Sequence, residues 1–111
     1  MSKVKSLTSK EELQELLQGT DNLLLDLYAE WCPPCRQLMP ILDLLSLEEK
    51  YKDIKFMKIN TSLFPDIARQ YEVTSIPTLI FISKDRARSV ERHTGFIELE
   101  ILKTLIDKYF F

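Results

Sequence analysis

The chain has 111 residues, 45% of them hydrophobic, and its 15 basic and 17 acidic side chains leave a formal net charge of −2. That length suits one domain, residues 1–111, with a core of its own, and apolar runs such as Leu23–Leu25 and Leu79–Ile82 fall far short of the ~18 residues a membrane-spanning helix needs. Balanced charge without a block of one sign argues against a nucleic-acid groove or a membrane anchor, and two cysteines are too few for a disulfide scaffold.

The first predicted element is a short strand over Val4–Leu7. Thr8 or Ser9, three residues ahead of Glu11 or Glu12, has capping-box spacing and opens a helix with Leu13, Leu16 and Leu17 on one face and Gly19 at its C′ end. Leu23–Tyr28 is apolar on both sides, as a central parallel strand would be, and runs straight into Trp31-Cys32-Pro33-Pro34-Cys35. From Pro34 to about Tyr51, Leu38, Ile41, Leu42, Leu45 and Leu47 recur at helical spacing, with a kink expected at Pro40. Ile54–Asn60 alternates as a strand, and Ser62–Tyr71 reads as a short helix with Pro65 in its first turn. Thr78–Ser83 and Ser89–Thr94 form two strands, antiparallel, around a charged turn. Ile101, Leu102, Leu105, Ile106 and Tyr109 mark one stripe of a C-terminal helix. The order βαβαβαββα predicts an α/β fold with a central mixed sheet of about five strands and about four flanking helices. Met1–Lys10 is polar and basic with no apolar segment behind it, so a cytoplasmic protein is expected.

Both cysteines lie in one Cys-x-x-Cys at a strand-to-helix junction, and the chain has a single histidine. A structural zinc site, two inert core thiols and a redox-active dithiol compete for this pattern. Zinc usually takes four Cys or His ligands and only three such residues exist here, so no metal is expected. Positions i and i+3 at a helix start lie about one turn apart, close to the ~5.5 Å Cα separation of a disulfide. Cys32 at the helix N-terminus gains the positive end of the macrodipole, which stabilises a thiolate and marks it as the nucleophile. Cys35, one turn inward and shielded, suits the resolving role.

The segments Leu25–Arg36, with Trp31-Cys32-Pro33-Pro34-Cys35 inside it, and Tyr71–Leu79, with Ile76-Pro77, together with Gly95 before the last helix, resemble the thioredoxin family over almost the whole chain. The resemblance implies a thioredoxin-like fold and a protein-disulfide reductase without a cofactor, acting on disulfide-containing proteins and reduced by thioredoxin reductase or a similar donor. It implies that Asp26 is the acid/base for Cys35, with Lys58 as its modulator. An Xaa-Pro bond is ordinarily trans, but the family pattern makes Pro77 cis, leaving the Ser75–Ile76 backbone to pair with an extended substrate. Trp31, Pro33, Pro34, Ile76, Pro77 and Phe96 would rim Cys32, with Gly95 beside them. His93 is expected to be exposed and without a role.

The chain departs from the family at four positions. Pro33-Pro34 stands where Gly-Pro is commonest, so two N–H groups near the Cys32 sulfur are missing, and the thiolate is expected to be less stabilised than with a glycine at position 33. Tyr28 replaces a common tryptophan. Ser75 and Phe96 replace smaller residues, and Phe96 is expected to narrow the groove. The rival functions are a disulfide oxidase or isomerase, and a binding subunit with an incidental dithiol. A chain of this size is expected to be a monomer.

Overall fold

A computed structural model describes residues 1–111 as one five-stranded sheet with two helices on each face. In chain order these are β1 (Lys5–Ser6), α1 (Lys10–Gln18), β2 (Leu23–Tyr28), α2 (Pro33–Ser46), a single 3-10 turn (Glu49–Tyr51), β3 (Lys55–Asn60), α3 (Pro65–Gln70), β4 (Thr78–Ile82), β5 (Glu91–Thr94) and α4 (Leu99–Phe110). The sheet order is β1-β3-β2-β4-β5, with β1, β3 and β2 parallel and β4 and β5 each antiparallel to its neighbour. The expected element order and mixed sheet are both present.

Alternation along the strands divides the core. Leu24, Phe56, Leu79 and Phe81 face α2 and α4, meeting Leu38, Leu42, Leu45, Leu102 and Ile106. Leu23, Leu25, Leu27, Ile59 and Ile80 face α1 and α3, meeting Leu13 and Ile67. Burial on both faces is why β2 and β4 carry nearly unbroken apolar runs. Asp26 is the exception in β2.

Ser9 caps α1, its Oγ accepting the Glu12 N–H at 3.1 Å, while Glu12 Oε1 accepts the Thr8 N–H at 2.8 Å. Gly19 ends that helix but with φ −80°, not the left-handed conformation expected of a C′ glycine. The carbonyls exposed at this end are taken instead by Arg86, which donates to Leu16 and Leu17 at 2.9 and 3.0 Å and also to Asp21 and Ser83.

Three predicted elements need correction. α2 stops at Ser46 rather than Tyr51, because the chain tightens into a 3-10 turn that keeps Tyr51 buried at near-helical spacing. Its hydroxyl donates to Asp107 of α4 at 2.8 Å. Leu47, expected on the apolar face, is exposed. α3 starts at Pro65 rather than Ser62, since proline disfavours the helical conformation in the residue before it. The carbonyl of Asn60 accepts from Leu63 and Phe64, and its side chain accepts from Ser62. In α4 the buried line is Leu102, Ile106 and Phe110, and Ile101 is 54% exposed. The apolar arc of that helix is wider than its contact with the sheet.

Candidate active site

β2 delivers the chain from the middle of the sheet to the start of α2, and Cys32 is the N-cap residue there. Pro33 and Pro34 occupy the first two helical positions, where a missing N–H leaves no intrahelical bond unmade. They also remove two donors from the sulfur. The Cys35 N–H reaches Cys32 Sγ at 3.3 Å, and no other amide does. Cys32 and Cys35 are joined in a disulfide with their Cα atoms 5.2 Å apart, so the thiols are partners and not two separate core residues. Both are buried, at 3% and 1% exposure, yet Cys32 alone lines the adjoining groove.

That groove encloses about 500 Å³. Trp31, Pro33 and Pro34, at the start of α2, line it together with Ala68 of α3, Val73, Thr74, Ser75 and Ile76 of the segment after α3, and Thr61. No lining residue is charged. Trp31, 71% exposed, stands at the mouth. Of the residues expected in the rim, Pro77 is buried, and neither Gly95 nor Phe96 lines the groove.

The Ile76–Pro77 bond is cis, as the family resemblance implies, and the Ile76 carbonyl oxygen lies 3.8 Å from Cys32 Sγ. The Ser75 carbonyl accepts the Thr78 hydroxyl at 2.6 Å, so only one of its lone pairs is left for another donor. Gly95 donates to the Pro77 carbonyl at 2.7 Å with φ +94°, a left-handed value that explains glycine there although nothing would crowd a Cβ.

Sequence reasoning missed Thr61, Ala68, Val73 and Thr74. Thr61 follows the carboxyl end of β3 and binds the Tyr28 carbonyl through both its N–H and its hydroxyl. Its position at the carboxyl end of a parallel strand was the available signal. Ala68 and Val73 come together because α3 ends in a Schellman motif: Val73 N–H bonds the Ala68 carbonyl at 2.9 Å and Glu72 N–H bonds the Arg69 carbonyl at 3.0 Å. Glycine usually marks such an end. Here Glu72 holds the left-handed position, with φ +53°.

Below the dithiol, Asp26 is 1% exposed, and neither carboxylate oxygen has a hydrogen-bond partner. Burial pushes its pKa up to about 7, and the positive charge of Lys58 pulls the other way. Lys58 sits directly across from Asp26 in β3, half-buried, with its ammonium 5.8 Å from the centre of the Tyr28 ring. Tyr28 in turn packs against the cluster of Ala29, Cys32 and Cys35. The carboxylate, the lysine and the disulfide thus share one end of the α2 side of the sheet. His93 is half-buried instead of exposed, and its Nε2 is buried without a partner. It pairs in register with Leu79, the residue that also faces Asp26 from β4.

The Thioredoxin family model matches residues 3–108. The chain is 36% identical over 110 residues to thioredoxin 1 of Synechococcus elongatus, covering 98% of this chain and 99% of that one. It is 35% identical over 103 residues to the thioredoxin of Mycoplasmoides gallisepticum, covering 93% and 99%. Among solved structures it is similar to the thioredoxin of Nicotiana alata, at 27% identity and a TM-score of 0.84 over 99% of this chain and 95% of the other. Other relatives are named as chloroplastic and mitochondrial proteins.

Proposed function

The chain belongs to the thioredoxin family and is a thiol-disulfide oxidoreductase of the protein-disulfide reductase kind, and from that premise we propose how its residues divide the reaction. The observation that carries the assignment is the asymmetry of the two sulfurs, since Cys32 lines an uncharged groove and Cys35 does not. Cys32, as thiolate, attacks one sulfur of a substrate disulfide, forming a mixed disulfide and releasing the other sulfur as a thiolate. Asp26, ionised, takes the proton of the Cys35 thiol. Cys35 then attacks Cys32 Sγ, the second substrate sulfur leaves and is protonated, and the Cys32–Cys35 disulfide remains. Two electrons have passed to the substrate, and a dithiol donor such as thioredoxin reductase restores them.

Lys58 tunes Asp26 by its charge. Trp31, Pro33, Pro34, Ser75 and Ile76 receive the substrate, whose extended backbone pairs beside Ile76, while Pro77 and Gly95 shape that strip from behind. Phe96 is assigned no part in it. The Ile76 N–H has no partner within the chain, which supports the pairing. The chain works as one domain and a monomer in a reducing compartment, the cytoplasm. No helix is long and apolar enough to cross a membrane.

Reduction of insulin by dithiothreitol tests the reading. The wild type accelerates it, Cys32→Ser abolishes the acceleration, and Cys35→Ser accumulates a mixed disulfide on Cys32 visible by mass spectrometry. A trapped adduct on Cys35 in Cys32→Ser, with none on Cys32 in Cys35→Ser, reverses the assignment. A reduction potential near that of glutaredoxins or lower, below about −200 mV, fits a reductase, and one near −120 mV would make the chain an oxidant.

A further inference from the structure

Arg92 of β5 points from the sheet edge toward the end of α3, away from the dithiol. Its register partner Ile80 belongs to the α1 and α3 side of the core. The guanidinium donates to the Tyr71 carbonyl and, at 3.5 Å, to the Glu72 carbonyl. These carbonyls flank the left-handed Glu72, at φ +53°. A side chain with a Cβ disfavours that conformation, so the turn needs support that glycine would not require. The same turn makes the groove: the Val73 N–H to Ala68 carbonyl bond of 2.9 Å brings together the two apolar residues that form its α3 wall, and Thr74, Ser75 and Ile76 follow directly.

We infer that Arg92 is a positioning residue for protein substrates, holding the end of α3 so that Ala68 and Val73 keep the groove wall in its binding shape. This inference rests on the function proposed above. A charge-assisted bond to a carbonyl is stronger than a neutral one, and Arg92 makes it where the backbone is least favourable. The substrate that reads this wall is an extended, uncharged segment flanking a disulfide, because the wall carries no charge. A small-molecule disulfide needs only the sulfurs and does not touch it.

The test compares insulin and dithiobis(nitrobenzoate) as substrates of the wild type, Arg92→Ala, Arg92→Lys, Glu72→Gly and Arg92→Ala/Glu72→Gly. Arg92→Ala is expected to raise the half-saturating insulin concentration about fivefold, the scale of one lost hydrogen bond, with the limiting rate and the small-disulfide rate unchanged. Arg92→Lys recovers part of the loss. Glu72→Gly on the Arg92→Ala background restores most of it, since glycine holds the turn unaided. An unchanged half-saturation in Arg92→Ala overturns the inference, and so do equal losses on both substrates with a lowered melting temperature. Hydrogen exchange at the Val73 amide separates this failure from that of the function itself. Even if the wild type turned over neither substrate, Arg92→Ala must exchange that amide faster, and an unchanged rate would be fatal.

Discussion

Asp26 is a carboxylic acid placed where an ionised one is costly. Its pKa of about 7 stands against 3.8 for the unfolded chain, with desolvation as the main cause. Between those values the native state holds a proton that the unfolded state has lost, so stability falls as pH rises through the window and levels off above about 7. The full penalty is on the order of 4 kcal/mol. Asp26→Asn should flatten this slope and raise the urea midpoint above neutrality. The same substitution should erase the increase in the rate of mixed-disulfide resolution through pH about 7 that an ionising base produces, as followed by stopped-flow release of substrate thiol. A slope that survives in Asp26→Asn would mean that another buried group is responsible.

Pro33 and Pro34 set the other side of the dithiol chemistry. The Cys35 N–H is the one amide on Cys32 Sγ in the disulfide, so in the proposed reaction the Cys32 thiolate would have only the helix dipole and that single bond to stabilise it. Pro33→Gly restores a donor and a flexible turn. It should raise the thiolate fraction of Cys32, seen as faster alkylation by iodoacetamide at neutral pH, by roughly threefold for a bond worth under 1 kcal/mol. Slower alkylation in the variant would show that the rigid Pro-Pro turn is itself the stabilising feature.

At the scale of elements, the ends of the helices differ most from their sequence signatures. The sequence marks Gly19 as the stop of α1 and offers no glycine for α3. One stops on Gly19 in an extended conformation and the other on Glu72 in a left-handed one, and an arginine from β5 or the loop before it sits at each end. Arg86 makes the stronger clamp, with four carbonyl acceptors between α1 and the loop after β4. Arg86→Ala should cost about 2–3 kcal/mol in chemical denaturation, with amide exchange at the end of α1 accelerating before that of β2. A loss under half a kcal/mol would show that water replaces the guanidinium without penalty.

The apolar spacing of α1, β2, β3 and β4 was legible because a period of 3.6 or 2 maps directly onto a buried face. Where helices stop was less so. The residues that close α1 lie at Arg86, about 70 positions away in sequence, so no local pattern contains them. Leu47 and Ile101 were misplaced for a related reason: an apolar arc can be wider than the surface it meets, and only the partner decides which residue stays outside.

At the scale of the whole molecule, the site sits where a parallel pair, β2 and β3, meets the antiparallel β4, above the carboxyl ends of β2 and β3. The opposite risk lies at the outer sheet edge. β1 is only two residues long, and Lys3, Lys5, Lys52 and Lys55 surround a cavity of about 360 Å³ beside it. Short length and lysines both discourage edge-to-edge pairing, which supports the proposed monomer. Replacing Lys3 and Lys5 together with valine should produce concentration-dependent dimers in sedimentation velocity, whereas a variant as monomeric as the wild type would show that length alone protects the edge.

By itself the sequence determined the order of elements, the two apolar faces of the sheet, the Cys-x-x-Cys at a helix start and the carboxylate within the central strand. These follow from local periodicity and from residue chemistry at fixed spacing. Tertiary structure alone decided that Ala68, Val73 and Thr61 help line the groove beside Cys32, that Phe96 does not line it, and that His93 turns a nitrogen inward. Each of those depends on contacts between segments far apart in the chain. Burial is a property of the neighbours a residue meets, which spacing along the chain does not specify.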